Sequence, residues 1–318
     1  MRQNKDDHDK YDKMVELLEE TKKRKMKILH NGIIHTMAVV IALISTPVLA
    51  EQPAFSQPES AYFFSSGSTD SGVYFISSTN GDGVGWVSKL AADGSVIDSR
   101  WATDLRHPMG MRVSGKRLWV NNITEIVGLN LDDPSDRIVY PIDGAISLND
   151  LATDSFGHAY LSDSMNSRVV RVDLATGENS TYLSTLPSSP NGLLIHEERL
   201  YVASWGVMSD QPEERAEWIT KTAGDLYWVS LKDAKKGRHI IAQELGNLDG
   251  VEIDQKGNIY VSDWESGKLY KISNRTKKVI NLGQYSQGLA DLGLNSFTGE
   301  LALPIMLSNE VLFYTPSP

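Results

Sequence analysis

The chain has 318 residues, no cysteine and a formal net charge of −10. Its length suits one large all-β domain or two ordinary domains. The missing cysteines exclude disulfides, thiolate metal sites and a cysteine nucleophile. The acidic balance speaks against nucleic-acid binding, which needs clustered Lys and Arg.

The amino terminus reads as an address. Lys22, Lys23, Arg24, Lys25 and Lys27 precede an apolar stretch from Ile33 to Leu49, which ends Val48-Leu49-Ala50 before the polar Glu51-Gln52. A basic flank, an apolar run and a small-residue terminus are the layout of a secretory signal. The run is shorter than the ~20 apolar residues of a membrane span. Residues 1–50 are therefore expected to be an extension with a signal, and residues 51–318 an exported body, periplasmic or secreted. An uncleaved signal anchor is the alternative. Met26 would open a signal of ordinary size, so it is the expected start of translation.

From here one unit recurs. Residues 58–90 carry AYFFSS, VYFISS and VGWVSKL, and HPMGM follows at Met109. Clear copies are NDLATDSFGHAYLSDSMNSRVVRVD from Asn149 and DGVEIDQKGNIYVSDWESGKLYKIS from Asp249. Between them lies NGLLIHEERLYVASWG from Asn191, then an insert, then GDLYWVS; the last unit begins near Asp291. Each copy opens on a polar residue, runs into a short apolar strand, turns, and ends a second strand in Ser-Asp or Ser-Trp. Short-strand repeats of about 40–45 residues mark a β-propeller. Six units fit, so the expected fold is all-β: a six-bladed propeller with four-stranded blades. Residues 51–57 are expected to add the outer strand of the last blade, closing the ring with the first strand of the body. A pair of β-sandwiches is the rival architecture.

Register then sorts residues by face. An innermost strand starts where its antiparallel neighbour ends. Glu59, Met109, Asn149, Asn191, Asp249 and Asp291 are thus expected at one mouth. Asn121, Ser164, Trp205 and Trp264, at or just past the ends of second strands, share that face with His107, and all five are candidate substrate-pocket residues. The insert at about 206–224 is expected to rise over the mouth as a lid, with a surface ornament as the alternative. His107 is a base, a hydrogen-bond donor to the site, or an ordinary loop residue.

Glu59, Asn149, Asn191 and Asp249 bring two carboxylates and two amide oxygens together. This hard oxygen set suits Ca²⁺, Mg²⁺ or Mn²⁺, with Zn²⁺ also accommodated. Against that stands the ordinary use of Asn and Asp before Gly in ligand-free turns.

With these motifs the chain resembles the regucalcin/gluconolactonase/luciferin-regenerating-enzyme family of six-bladed propellers, over roughly residues 55–318. The resemblance implies one divalent cation held by Glu59 in PESAYF, Asn191 in SPNGL and Asp249 in LDGVEID, with Asn149 lining the site. It also implies Asp249 as general base of lactone hydrolysis, and Trp205 and Trp264 in the pocket wall. The chain departs from the sugar lactonases at Ser147, where they carry an arginine. No G-x-S-x-G elbow, P-loop or H-E-x-x-H occurs.

The expected function is an exported, divalent-metal-dependent hydrolase of a lactone or small ester. The substrate is then a small molecule, and the chain a monomer without nucleic-acid partner. The alternatives are a non-catalytic ligand- or protein-binding propeller, and an isomerase or lyase using the same cation.

Overall fold

A computed structural model describes residues 53–67, 71–81, 84–208 and 220–317. The secretory signal and the Met26 start lie outside the described residues, as does the middle of the insert. Among the described residues no helix is long and apolar enough to cross a membrane.

Among the described residues, five four-stranded antiparallel sheets and one three-stranded sheet follow in chain order. The first holds β1 (Pro58–Phe64), β2 (Val73–Ser78), β3 (Gly85–Ala91) and β4 (Val96–Leu105). The second holds β5 (Pro108–Ser114), β6 (Arg117–Asn122), β7 (Glu125–Asn130) and β8 (Arg137–Pro141). The third holds β9 (Leu148–Thr153), β10 (His158–Asp163), β11 (Arg168–Asp173) and β12 (Asn179–Leu183). The fourth holds β13 (Ser189–His196), β14 (Arg199–Met208), β15 (Thr220–Ser230) and β16 (His239–Gly246). The fifth holds β17 (Leu248–Ile253), β18 (Ile259–Asp263), β19 (Lys268–Ile272) and β20 (Val279–Gln284). The sixth holds β21 (Gly293–Leu294), β22 (Leu301–Ile305) and β23 (Glu310–Tyr314).

The first strands touch in the order β1, β5, β9, β13, β17, β21 and back to β1. That closed circuit makes the molecule a six-bladed propeller. The ring closes through β1: Ser60 bridges Asp291 in parallel, Asp291 N–H donates to Glu59 O at 2.9 Å and Ala61 N–H donates to Asp291 O at 3.0 Å. Residues 53–57 form no strand, so the expected outer strand of the last blade is not supplied by them. Phe55 instead packs against the apolar cluster between the first and last blades, which holds Ala61, Phe63, Tyr74 and Ala302.

The core is divided into six apolar clusters, one between each pair of neighbouring blades. This explains the alternation in the repeat, because successive strand residues point to opposite faces of a sheet. In β18, Ile259 and Val261 pack toward the fourth blade while Tyr260 packs toward the sixth. In β10, Ala159 and Leu161 face the second blade while Tyr160 faces the fourth.

Each of β1, β5, β9, β13 and β17 carries a register shift that spans its opening residue and the next. Two residues there oppose one on the partner strand, which is a β-bulge, and bulges re-aim side chains. In three blades a serine of the second strand takes up the bulged N–H. Ser60 N–H donates to Ser77 Oγ at 2.9 Å, Asp150 N–H to Ser162 Oγ at 2.8 Å and Gly250 N–H to Ser262 Oγ at 2.8 Å. The recurrent Ser of the repeat thus fixes the bulge that presents the opening side chain.

Close approach of the inner strands demands glycine. A Cβ on Gly192 would lie 1.9 Å from the Asp249 carbonyl oxygen. Backbone cannot yield as a flexible side-chain tip can, so Gly192→Ala should lower stability by about 1–3 kcal/mol. Urea denaturation of parent and variant measures this; an unchanged midpoint would refute the close approach.

Candidate functional site at the mouth of the channel

The bulges bring Glu59, Met109, Asn149, Asn191 and Asp249 to equivalent positions at one end of the channel. The sixth blade differs from expectation. Its bridge Leu289–Ile305 puts Ala290 at the opening position, and Asp291 sits one residue further in, level with Ser60. The rim therefore offers oxygen side chains from four blades, while Met109 and Ala290 offer none.

Those four residues share a second property. Glu59 Oε2, Asn149 Oδ1, Asn191 Oδ1 and Asp249 Oδ1 are all buried and have no hydrogen-bond partner. Asn121 Oδ1, Ser188 Oγ and Asp291 Oδ1, at the same end, are likewise unpartnered. Buried polar atoms are nearly always paired, because an unmade bond costs about 1–3 kcal/mol. Several such atoms gathered at one end of a channel are a preformed acceptor set.

The electrostatics agree. Burial raises the Glu59 carboxyl well above its usual range, and the charges of Asp249, Asp291 and Asp150 raise it further. Burial likewise raises Asp249, with Asp150 and Asp263 adding to it. Burial also raises Asp291, as do Asp150 and Asp249, while Arg112 opposes the shift. A positive charge among them would stabilise all three ionised forms.

The other residues expected at this face are placed as follows. Asn121 Nδ2 donates to Asn149 O at 3.0 Å, and Ser164 Oγ donates to Pro190 O at 2.6 Å. Each thus anchors the backbone at or beside a rim residue. Trp205 is buried against Trp264, with ring centroids 5.8 Å apart. Asn247 Nδ2 donates to Trp205 O at 2.9 Å and holds that part of β14. His107 N–H donates to Asn122 Oδ1 at 2.9 Å, and burial pushes its imidazole down to about 4, so it is neutral at pH 7. The insert begins as a continued ladder, with Gly206 opposite Ala223 and Met208 opposite Thr220. Of the expected lid at about 206–224, residues 206–208 and 220–224 extend β14 and β15, and residues 209–219 lie outside the described residues.

The acids of the Ser-Asp endings are structural. Asp163 accepts from Arg168 Nε at 2.8 Å and Asn166 Nδ2 at 2.7 Å. Asp263 accepts from Ser266 Oγ at 2.6 Å. Among the described residues no cluster of three or more His, Cys, Asp or Glu is arranged as a metal site. The rim set contains only two carboxylates, and its other two donors are amide oxygens.

Sequence reasoning missed the layer beneath the rim. Asp150 Oδ2 accepts the Leu193 N–H at 2.7 Å and ties the third blade to the fourth. Asp291 Oδ2 accepts Ser60 Oγ–H at 2.6 Å and ties the sixth to the first. Three blades apart, both stand at positions held by Gly in the second, fourth and fifth blades. A Cβ on Gly110 or Gly250 would collide with Asp150 or Asp291. The signal was present in the residue after each opening, which is Asp or Gly in five of the six blades. Arg112 and Glu252, each three residues past an opening, complete the layer.

No protein-family model matches the chain, and no curated protein matches its sequence. Solved structures do match in fold. A chain of the nidogen/laminin complex is 11% identical, with a TM-score of 0.56 over 77% of this chain and 93% of that one. A streptogramin B lyase is 11% identical, with a TM-score of 0.52 over 81% of this chain and 93% of that one. A catalytically inactive variant of virginiamycin B lyase from Staphylococcus aureus, with quinupristin, is 10% identical, with a TM-score of 0.51 over 76% and 77%. At these identities the likeness is one of fold. The fold itself serves both a binding complex and enzymes.

Proposed function

We propose that the mouth holds one divalent cation and that the protein is a cation-dependent hydrolase or lyase acting on a lactone or small ester. The observation that carries this reading is the coincidence of two independent sets. The four residues singled out by their place in the repeat are among the few described residues whose buried oxygens lack any partner. In this reading Glu59, Asn149, Asn191 and Asp249 hold the ion. When bound, a divalent cation polarises a carbonyl or acidifies a water. Asp249 carries the proton, since its carboxylate combines burial with a place at the rim. The Trp205–Trp264 pair forms an apolar wall against which a ring or alkyl group packs. His107, held neutral beside the mouth, can offer a hydrogen bond but is a poor proton acceptor there. Two of the proteins similar in fold are lyases, which supports an enzymatic reading, and Ser147 favours a substrate other than a sugar lactone.

The experiment is a screen of lactones and esters with the full chain, with and without chelator. Turnover lost to chelator and restored by added cation is the expected result. Cation binding without turnover of any ester would instead favour a non-catalytic binding propeller, the reading that the nidogen/laminin likeness supports.

A further inference from the structure

Beneath the rim, one charged side chain crosses the channel and has no part in the reaction proposed above. Arg112, on β5 of the second blade, is 5% exposed. Its Nη2 lies 3.3 Å from Glu252 Oε1 on the fifth blade, and its Nη1 lies 3.9 Å from Asp291 Oδ2 on the sixth. Nη1 also donates to Met111 O at 2.8 Å, and the guanidinium stands over the Tyr62 ring at 5.2 Å. The second and fifth blades are opposite each other in a six-bladed ring. The side chain therefore spans the channel and forms its floor.

The charge balance gives this placement a consequence. Glu59, Asp150, Asp249, Glu252 and Asp291 all project from the inner strands or their bulges. Among the described residues Arg112 is the one buried cationic side chain. A guanidinium stays charged at any pH a protein survives. In a low-dielectric channel it neutralises nearby carboxylates and repels a mobile cation strongly.

We propose that Arg112 is the built-in counter-cation of the channel floor: it holds Glu252 and Asp291 and confines a divalent cation to the rim. It is a positioning residue, and the proposal rests on the cation reading above. Without it, Glu252, Asp150 and Asp291 form a second acceptor set for a divalent ion.

The test is calorimetric titration of the full chain with Ca²⁺ and with Mn²⁺, each alone. The parent binds one ion. Arg112→Met binds the first ion about tenfold more tightly or better, by loss of repulsion, and takes up a second. Arg112→Lys, which keeps the charge, binds one. Glu252→Gln leaves the guanidinium with less counter-charge and weakens binding several-fold. A merely structural arginine gives the opposite sign, because Arg112→Met would then bind more weakly. One ion at equal or weaker affinity in Arg112→Met overturns the proposal and leaves the cation reading standing. If Arg112→Met does not fold, unchanged affinity in Glu252→Gln overturns it. A parent that binds no ion overturns both.

Discussion

Asp249→Ala weakens divalent-cation binding by about two orders of magnitude or more and removes chelator-sensitive turnover, yet its metal-free form melts above the metal-free parent. The first part follows from loss of a charged donor, whose cost exceeds the 10–100-fold effect of outer-sphere changes. The second follows from the empty-site electrostatics. Asp249 is 4% exposed, and Asp150 and Asp263 add repulsion to its burial. Removing such a group relieves a desolvated like-charge cluster. Stability given up for a binding site returns when the site is destroyed. Thermal melts in chelator and calorimetric cation titrations check both parts. A variant that keeps cation binding and melts lower would show that Asp249 serves the fold and not the ion.

The second large effect is a dependence of stability on pH that reverses the usual acid-labile pattern. Glu59, Asp249 and Asp291 all have carboxyls raised in the folded state, chiefly by burial. Burial also pushes Glu252 up to about 7, against the pull of Arg112. A raised carboxyl keeps its proton in the folded state where the unfolded chain, at about 4, has already lost it. The folded state then binds more protons, so stability falls as pH rises from about 4 upward. For Glu252 the loss is complete near pH 7. Groups with lowered carboxyls, such as Asp154 and Asp254, lose their contribution only below that window. A cation at the rim cancels the repulsion and adds stability through binding to the folded state alone. In chelator the melting temperature should therefore be higher at pH 5 than at pH 8. The gain from saturating cation should be larger at pH 8. A gain that does not change with pH would contradict a site made of these carboxylates.

Much of this was legible in the chain. The repeat announced six blades, because strand alternation and blade spacing are local properties. It also identified Glu59, Asn149, Asn191 and Asp249 as rim residues, since equivalent repeat positions occupy equivalent places in a ring. Asp291 was misplaced by one residue because the bulge at the opening is invisible without the partner strand. Residues 53–57 did not become a strand; closure depends on the Ser60–Asp291 bridge, a contact between opposite ends of the chain. Arg112 escaped notice for the same reason. Its partners Glu252 and Asp291 lie 140 and more residues away, and nothing local in GMRVS distinguishes a channel floor from a surface arginine. The Ser of Ser-Asp marked only the end of a second strand until the pairing showed it holding a bulged N–H.

The central claim is that the four rim oxygens hold a divalent cation, and metal content tests it most directly. The full chain is dialysed against Ca²⁺ or Mn²⁺, passed through a desalting column and analysed for bound metal, beside Asn191→Ala. One ion per chain in the parent and none in Asn191→Ala is the result expected. No bound metal in the parent, or equal metal in both proteins, would contradict the account.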